Sequence, residues 1–511
     1  MVACRHRSIL LSTTTMATPH DRAVLIRAAQ LDGTPAPEIR VLIEDTQAKI
    51  TSLDSQIASL FEQREEERLS LAAMQYSIAP IRSVPVELLA HIFVQTVSLD
   101  TRNHFKEVMQ IAQVCDHWRR VALNTPKLWT GTIYISNRKP RNGVSMAAQG
   151  LKTWLTRSAP LAVPVVFETD RKSTGMNREW IYPVAVDEIM KEILKVSSRW
   201  GSLIIRDAQA LELPFLSTLS QYSLDMLQTV SFPASSLWLN PIQYVIISFG
   251  QTPSLRKLFV GRGVQVNNMS WSSLVDLDMD LRAPDEILAI LPHCSDLVHL
   301  TVYTTAWPET SNSATLFALK RLQTLRWGCG KNGHFMPLLN HLLTPSLRHL
   351  RLDTGGQNVA WREAQFRAFQ YRSPGIIDLE LRDATLSPTE LRSVLSCSPL
   401  LQHLALLRCA NGVYEAAIRA LRYEEGTPPL VPRLHDLKLS FYPNPLPQDI
   451  LGDMIASRWW SDSQLARLPS PPAVTRWTQF TMVSDIDDEH SKHVMEMISR
   501  FKEEGLDVHI R

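Results

Sequence analysis

From about residue 200 the chain repeats one apolar pattern: an apolar residue, two others, a second apolar residue, one other, a third. It starts at Trp200 (with Leu203 and Ile205), Leu227 (Val230, Phe232), Leu255 (Leu258, Val260), Leu274 (Leu277, Met279) and Leu297 (Leu300, Val302). It continues at Leu322 (Leu325, Trp327), Leu347 (Leu350, Leu352), Ile376 (Leu379, Leu381), Leu401 (Leu404, Leu406) and Leu434 (Leu437, Leu439). Successive starts lie 27, 28, 19, 23, 25, 25, 29, 25 and 33 residues apart. A period of this size marks stacked units, each burying its apolar face on the next. The last two apolar residues of a unit are two apart, so on a short strand both point inward, while the first anchors the preceding turn. Segments between them, such as PDEILAILPHC and PTELRSVLSCSP, have helical spacing. Each unit therefore reads as helix, turn, strand, and stacking sets the strands in a parallel sheet.

This period is that of leucine-rich repeats. The expectation is an α/β chain with an irregular leucine-rich-repeat solenoid over residues 150–483. The stretches LKTWLTRSAPLAVPVVFE and VDEIMKEILKVSSRWGSLIIRD each read as a helix followed by a strand and extend the array upstream. The Pro-rich EEGTPPLVP, FYPNPLPQD and ARLPSPPAV read as loops between the final units. At the end, Asp487 to Lys502 has the pattern of an acid-capped amphipathic helix, stopped by Gly505 and followed by the strand LDVHIR, a cap over residues 484–511.

One motif competes with this reading. GCGKNG, residues 328 to 333, follows the strand-like LQTLRW and spells G-x-G-x-x-G, and Asp353 lies where a ribose-binding acid would sit, roughly 20 residues on. Aspartates also follow strand ends at Asp207, Asp280 and Asp383, where no glycine motif stands nearby, and Pro337 makes a poor start for a pyrophosphate-binding helix. The glycines are read as a turn, and Asp353 as a repeat feature.

Ahead of the repeats, residues 36–77 contain EIRVLIEDTQAKITSLDSQIASLFEQREEERLSLAAMQ, dense in helix formers and free of Gly and Pro. In heptads, Ile43, Ile50 and Ile57 share one seam position and Leu53 and Leu60 the other, with Thr46, Arg64 and Glu67 interrupting. The pattern suits a coiled-coil-like helix that pairs with a second helix or packs on its own chain. Residues 1–35 are expected to be a disordered segment; their first twenty hold basic and hydroxyl residues and no acid, as transit peptides also do, and Met16 offers a second start.

Between stalk and repeats lies a compact helical stretch. Pro85 suits the first turn of a helix and Glu87 its positive end, with Leu88, Leu89, Ile92 and Phe93 on an apolar face. After a polar interruption at 98–107, Val108, Ile111, Val114, Cys115, Trp118 and Val121 keep helical spacing until Pro126. The order Val84-Pro85-x-Glu87-Leu88-Leu89-x-x-Ile92-Phe93, then Val114-Cys115-x-x-Trp118-Arg119-x-x-Ala122, then Pro126-x-Leu128-Trp129, resembles an F-box. The preceding helix and the TPKLW ending are similar to fungal, especially mushroom-type, F-box proteins; SLDTRNHFKE is longer and more polar than the family's link between its first two helices. The resemblance implies a small three-helix F-box domain, assigned to residues 79–135, that docks on the Skp-family adaptor of an SCF-type cullin–RING ubiquitin ligase. By the same resemblance Pro85, Leu88, Leu89, Ile92, Phe93, Val114, Cys115 and Trp118 lie at or beneath the adaptor contact. Fifty or so residues cannot bury every apolar side chain they carry, which fits such a partner.

The expected role is therefore a substrate-recognition subunit that performs no bond chemistry, the alternative being a non-ligase binding scaffold with an F-box-like fold. Target choice would fall to residues between the apolar strand positions: Lys257, His299, Arg326, Arg348, Arg351, Glu380 and Lys438. The net charge of +2 among 511 residues points to neither nucleic acid nor an anionic membrane as a partner. The six cysteines lack C-x-x-C spacing and read as reduced thiols of a cytoplasmic or nuclear protein, and no apolar run approaches a membrane span. No P-loop or nucleophile elbow occurs; His490 and His493 among acids read as a solvated face, and His293, Cys294, His403, Cys397 and Cys409 as core or turn residues, so neither metal nor cofactor is expected.

Overall fold

The inward-pointing pairs of the repeat become the inner face of one parallel sheet. The computed structural model describes residues 36–99, 101–136, 144–168, 184–207, 210–211, 213–234, 245–304, 316–329, 336–355, 361–441, 448–467, 471–484 and 498–510. Two units are distinguished, Met1–Leu89 and Ala90–Arg511. In the first, α1 (Ala36–Ser77) runs for 42 residues without a break, and every described side chain along it is exposed. A 3-10 turn at Pro80–Ser83 follows, and α2 (Val86–Thr96) begins.

In the second unit come α3 (His104–Val114), α4 (Asp116–Leu123) and a 3-10 turn at Pro126–Trp129. The periodic run from Val108 to Val121 divides between α3 and α4, which with α2 makes three short helices, as the three-helix resemblance implies. At Cys115 the backbone turns extended (φ −158°, ψ 170°) and its Sγ accepts the Trp118 N–H at 3.4 Å, an N-cap that restarts the helix. Helical spacing carries across such a break because each side keeps its own apolar face.

The strands are β1 (Ile133–Ser136), β2 (Val163–Glu168), β3 (Trp200–Ile205), β4 (Thr229–Phe232), β5 (Val245–Ser248), β6 (Lys257–Val260), β7 (Val264–Asn267), β8 (Asp276–Arg282) and β9 (His299–Thr304). They continue as β10 (Phe317–Ala318), β11 (Thr324–Cys329), β12 (Leu342–Leu343), β13 (His349–Asp353), β14 (Asp378–Arg382), β15 (His403–Leu407), β16 (Asp436–Phe441), β17 (Gln479–Ser484) and β18 (Asp507–Ile510). Fourteen of them form one sheet in chain order, omitting β5, β7, β10 and β12, which make two small parallel pairs. Every link in the large sheet is parallel, and the repeat residues align across it: Leu203, Val230, Leu258, Leu277, Leu300, Leu325, Leu350, Leu379, Leu404 and Leu437 share one register. All ten are buried, as are the turn anchors from Trp200 to Leu434. Burying one such side chain stabilises the fold by about 1.5–3 kcal/mol.

Helices α5 (Val144–Arg157), α6 (Val184–Leu194), α7 (Pro284–Ile290), α8 (Met336–His341), α9 (Glu363–Arg372), α10 (Pro388–Ser396), α11 (Asn411–Leu421), α12 (Gln448–Ser457) and α13 (Asp462–Leu465) fall between strands. Helix α10 shows why PTELRSVLS is helical. Ser387 and Glu390 form a reciprocal capping box, with the Ser387 N–H donating to Glu390 Oε2 at 2.7 Å, and Pro388 sits in the first turn.

Two strands, β1 and β17, go beyond expectation. The sheet begins at β1, inside the range assigned to the helical module, because Ile133 and Ile135 pair with β2. Trp477, Phe480 and Met482 carry the same apolar spacing into β17, where Phe480 and Met482 stand in register with Leu437 and Leu439. At the C-terminus LDVHIR adds β18 to the sheet edge after Gly505 at φ +100°. Most of the helix expected from Asp487, including His490 and His493, lies outside the described residues.

Candidate protein-interaction surfaces

The helical module is built around Trp129, fully buried, whose indole N–H donates to the Ala122 carbonyl at 2.9 Å while the Arg157 guanidinium lies 4.6 Å from its ring centre. Trp154 of α5 meets Trp129, His104 and Phe105 at centroid distances of 5.2, 5.5 and 5.3 Å. His104 bridges Leu128 O at 2.8 Å and Ser98 O at 3.2 Å. A methyl on Gly131 would fall 2.0 Å from the His104 ring, so glycine is required there. Arg102 and Arg206 both pair with the buried Glu168 at the end of β2, at 2.7 and 3.3 Å, fastening the loop before α3 to the sheet.

The residues assigned to adaptor contact divide by burial. Leu89 and Phe93 are buried, and the half-buried Trp118 ring packs against Phe93 with centroids 4.8 Å apart and planes tilted by 53°. Cys115 is half-buried and serves as the cap of α4. Pro85 is exposed, and on α2 Leu88 and Ile92, one turn apart, are 56% and 44% exposed. Val114, at the end of α3, is 59% exposed. Helical spacing alone could not separate these sets, since an i, i+4 apolar pair looks alike on either face. Val86, an unspecified position between Pro85 and Glu87 of the motif, and Phe105, in the link between its helices, are also exposed.

The outward face of the sheet carries two charged rows. One runs Lys257, Asp276, His299, Thr324, His349, Asp378, His403, Asp436. In it His349 pairs with Asp378 at 3.2 Å and His403 with Asp436 at 3.0 Å. The next runs Phe259, Asp278, Thr301, Arg326, Arg351, Glu380, Ala405, Lys438. Here Glu380 accepts from Arg351 at 3.3 Å and from Arg382. Six of the seven residues selected for target contact therefore lie on this face. Arg348 does not. It is exposed in the turn before β13, its carbonyl accepting the N–H groups of Ile377 and Asp378 at 2.9 and 3.0 Å.

Sequence reading missed Asp278, whose carboxyl is pushed up to about 6 by burial and then by Asp280 and Asp276, with Arg326 opposing. Three acids alternating along β8 were the available signal. Of the glycine motif only Gly328 and Cys329 are described, and both belong to β11 rather than to a turn. A methyl on Gly328 would lie 2.3 Å from the Tyr303 ring, so an aromatic neighbour explains this glycine. Asp353 Oδ1 accepts the Gly355 N–H at 3.1 Å, a local turn bond. Buried Cys294 and Cys409 have their thiols pushed up to about 12 and about 11 by burial, which leaves them unreactive. Among the described residues no group of three or more metal-ligating side chains comes together, and no single helix is long and apolar enough to cross a membrane.

A small helical module with exposed apolar side chains precedes a sheet whose outward face is charged. Residues 81–132 match the family model described as F-box-like, and the chain carries an F-box-like domain. No curated protein matches the chain.

Proposed function

We propose that the chain is the substrate-recognition subunit of an SCF-type cullin–RING ubiquitin ligase. The observation that carries this reading is the F-box-like match over residues 81–132 together with exposed Leu88, Ile92 and Val114 inside it. F-box domains generally bind Skp-family adaptors, and those side chains would supply the apolar contact. The sheet, read as an irregular leucine-rich-repeat solenoid, would present a target protein on its outward rows. Its contribution is effective concentration, holding target lysines near activated ubiquitin without bond chemistry of its own, in the cytoplasm or nucleus.

The test is co-expression of the full chain with the host's Skp-family adaptor and measurement of affinity for wild type and for Leu88→Ala/Ile92→Ala. Wild type is expected to bind below micromolar, and the double variant at least about tenfold more weakly, a loss of about 1.4 kcal/mol or more. Both side chains are exposed, so unchanged circular dichroism should accompany the loss. Folded wild type that does not bind would leave a binding scaffold without a ligase role.

A further inference from the structure

Helix α1 contains 42 residues, about 63 Å at 1.5 Å per residue. An isolated helix of this kind gains nothing from the apolar side chains it holds in water. On α1 those side chains are ordered. Ile43, Ile50 and Ile57 recur every seven residues and Leu53 and Leu60 fill the intervening seam position, each at least 50% exposed.

We propose that α1 pairs in register with α1 of a second copy of this chain, as a parallel two-stranded coiled coil. Three observations select that occupant. β-branched Ile at the first seam position with Leu at the second is the combination that favours parallel dimers. Lys49 and Asp54 occupy the flanking positions that face each other across such a dimer, so each lysine meets the other chain's acid. In the single helix Lys49 reaches Asp45, at 3.1 Å, with both side chains well exposed. Thirdly, of the two charged seam residues, Arg64 and Glu67, Arg64 leans out. Its guanidinium lies 4.7 Å from the Phe61 ring centre and 3.0 Å from Glu65, leaving its aliphatic stem in the seam. Beyond it Leu71 and Met74 resume the apolar positions. A parallel pair makes both chains leave the coil at the same end, which gives a receptor with two copies of every downstream site. The proposal does not depend on adaptor binding.

The experiment is sedimentation equilibrium of the full chain alone at about 20 µM, since a dimer is populated only by mass action. The expected mass is twice the 57.9 kDa of one chain. Ile50→Lys/Ile57→Lys should return it to 57.9 kDa with the sheet's melting unchanged. Leu53→Cys should form an interchain disulfide under mild oxidation, and Ser55→Cys, on the opposite side of the helix, should not. A monomeric wild type, or a dimer that survives both lysines, overturns the proposal. A dimer in which Leu53→Cys links no faster than Ser55→Cys overturns the parallel register.

Discussion

Replacing Asp278 with Asn isolates the electrostatic cost built into the outward sheet face. The carboxyl is raised from 3.8 to about 6, by burial first and then by Asp280 and Asp276. The folded chain therefore holds this proton more tightly than the unfolded chain does, and stability falls as pH rises through the window from about 4 to about 6. Above that window the full cost is present; below it there is none. A rise from 3.8 to about 6 corresponds to an upper limit of about 3 kcal/mol. Asp278 is half-exposed, and solvent screening reduces the expected figure to about 1 kcal/mol. Asn keeps the shape and removes the charge, so Asp278→Asn should gain about that 1 kcal/mol at pH 7.5 and nothing at pH 3.5. Urea unfolding of both chains at the two pH values reads the difference directly. Arg326→Gln should act in the opposite sense near neutrality, because Arg326 favours the ionised acid. An equal change at both pH values would mean that packing, not ionisation, sets the effect, and a loss at pH 7.5 would refute the reasoning.

Gly328→Ala is expected to destabilise by about 1–2 kcal/mol, since the new methyl would meet the Tyr303 ring at 2.3 Å; Tyr303→Ser in the same chain should restore the wild-type midpoint. Trp129→Ala removes a fully buried indole and its bond to Ala122 and should cost about 3–5 kcal/mol. Its effect should appear as increased hydrogen exchange across α3 and α4, with β13 to β16 unchanged.

The parts legible in the sequence were those set by periodicity. A strand burying one face must alternate, so Leu350 and Leu352 announced β13, and a long run of helix formers free of glycine and proline after Pro37 announced α1. What stayed hidden depended on contacts between distant residues. Nothing near Gly328 discloses that Tyr303 lies beside it, and nothing near Glu168 discloses Arg102. The break at Cys115 was hidden for a different reason. A cysteine thiol is an uncommon cap, and the apolar spacing continues past it. In the helical module the motif located the right residues without separating buried Leu89 and Phe93 from exposed Leu88 and Ile92, because a repeat of 3.6 residues records only that a face is apolar.

The shared register also bears on where specificity can reside. In the large sheet the inward positions are held to apolar side chains by packing, strand after strand, and a charge placed there would be buried without a partner. Only the outward positions are free to vary, and they do. In the row from Phe259 to Lys438, charge changes sign between Asp278 and Arg326, between Arg351 and Glu380, and again at Lys438. Glu380 is held between Arg351 and Arg382, so a bound chain gains little from it unless it displaces an arginine. Asp278 is different: its neighbours Asp276 and Asp280 repel it, and it would gain from any cation brought alongside. Under the proposed function, charge near β8 would discriminate between targets more strongly than charge near β14.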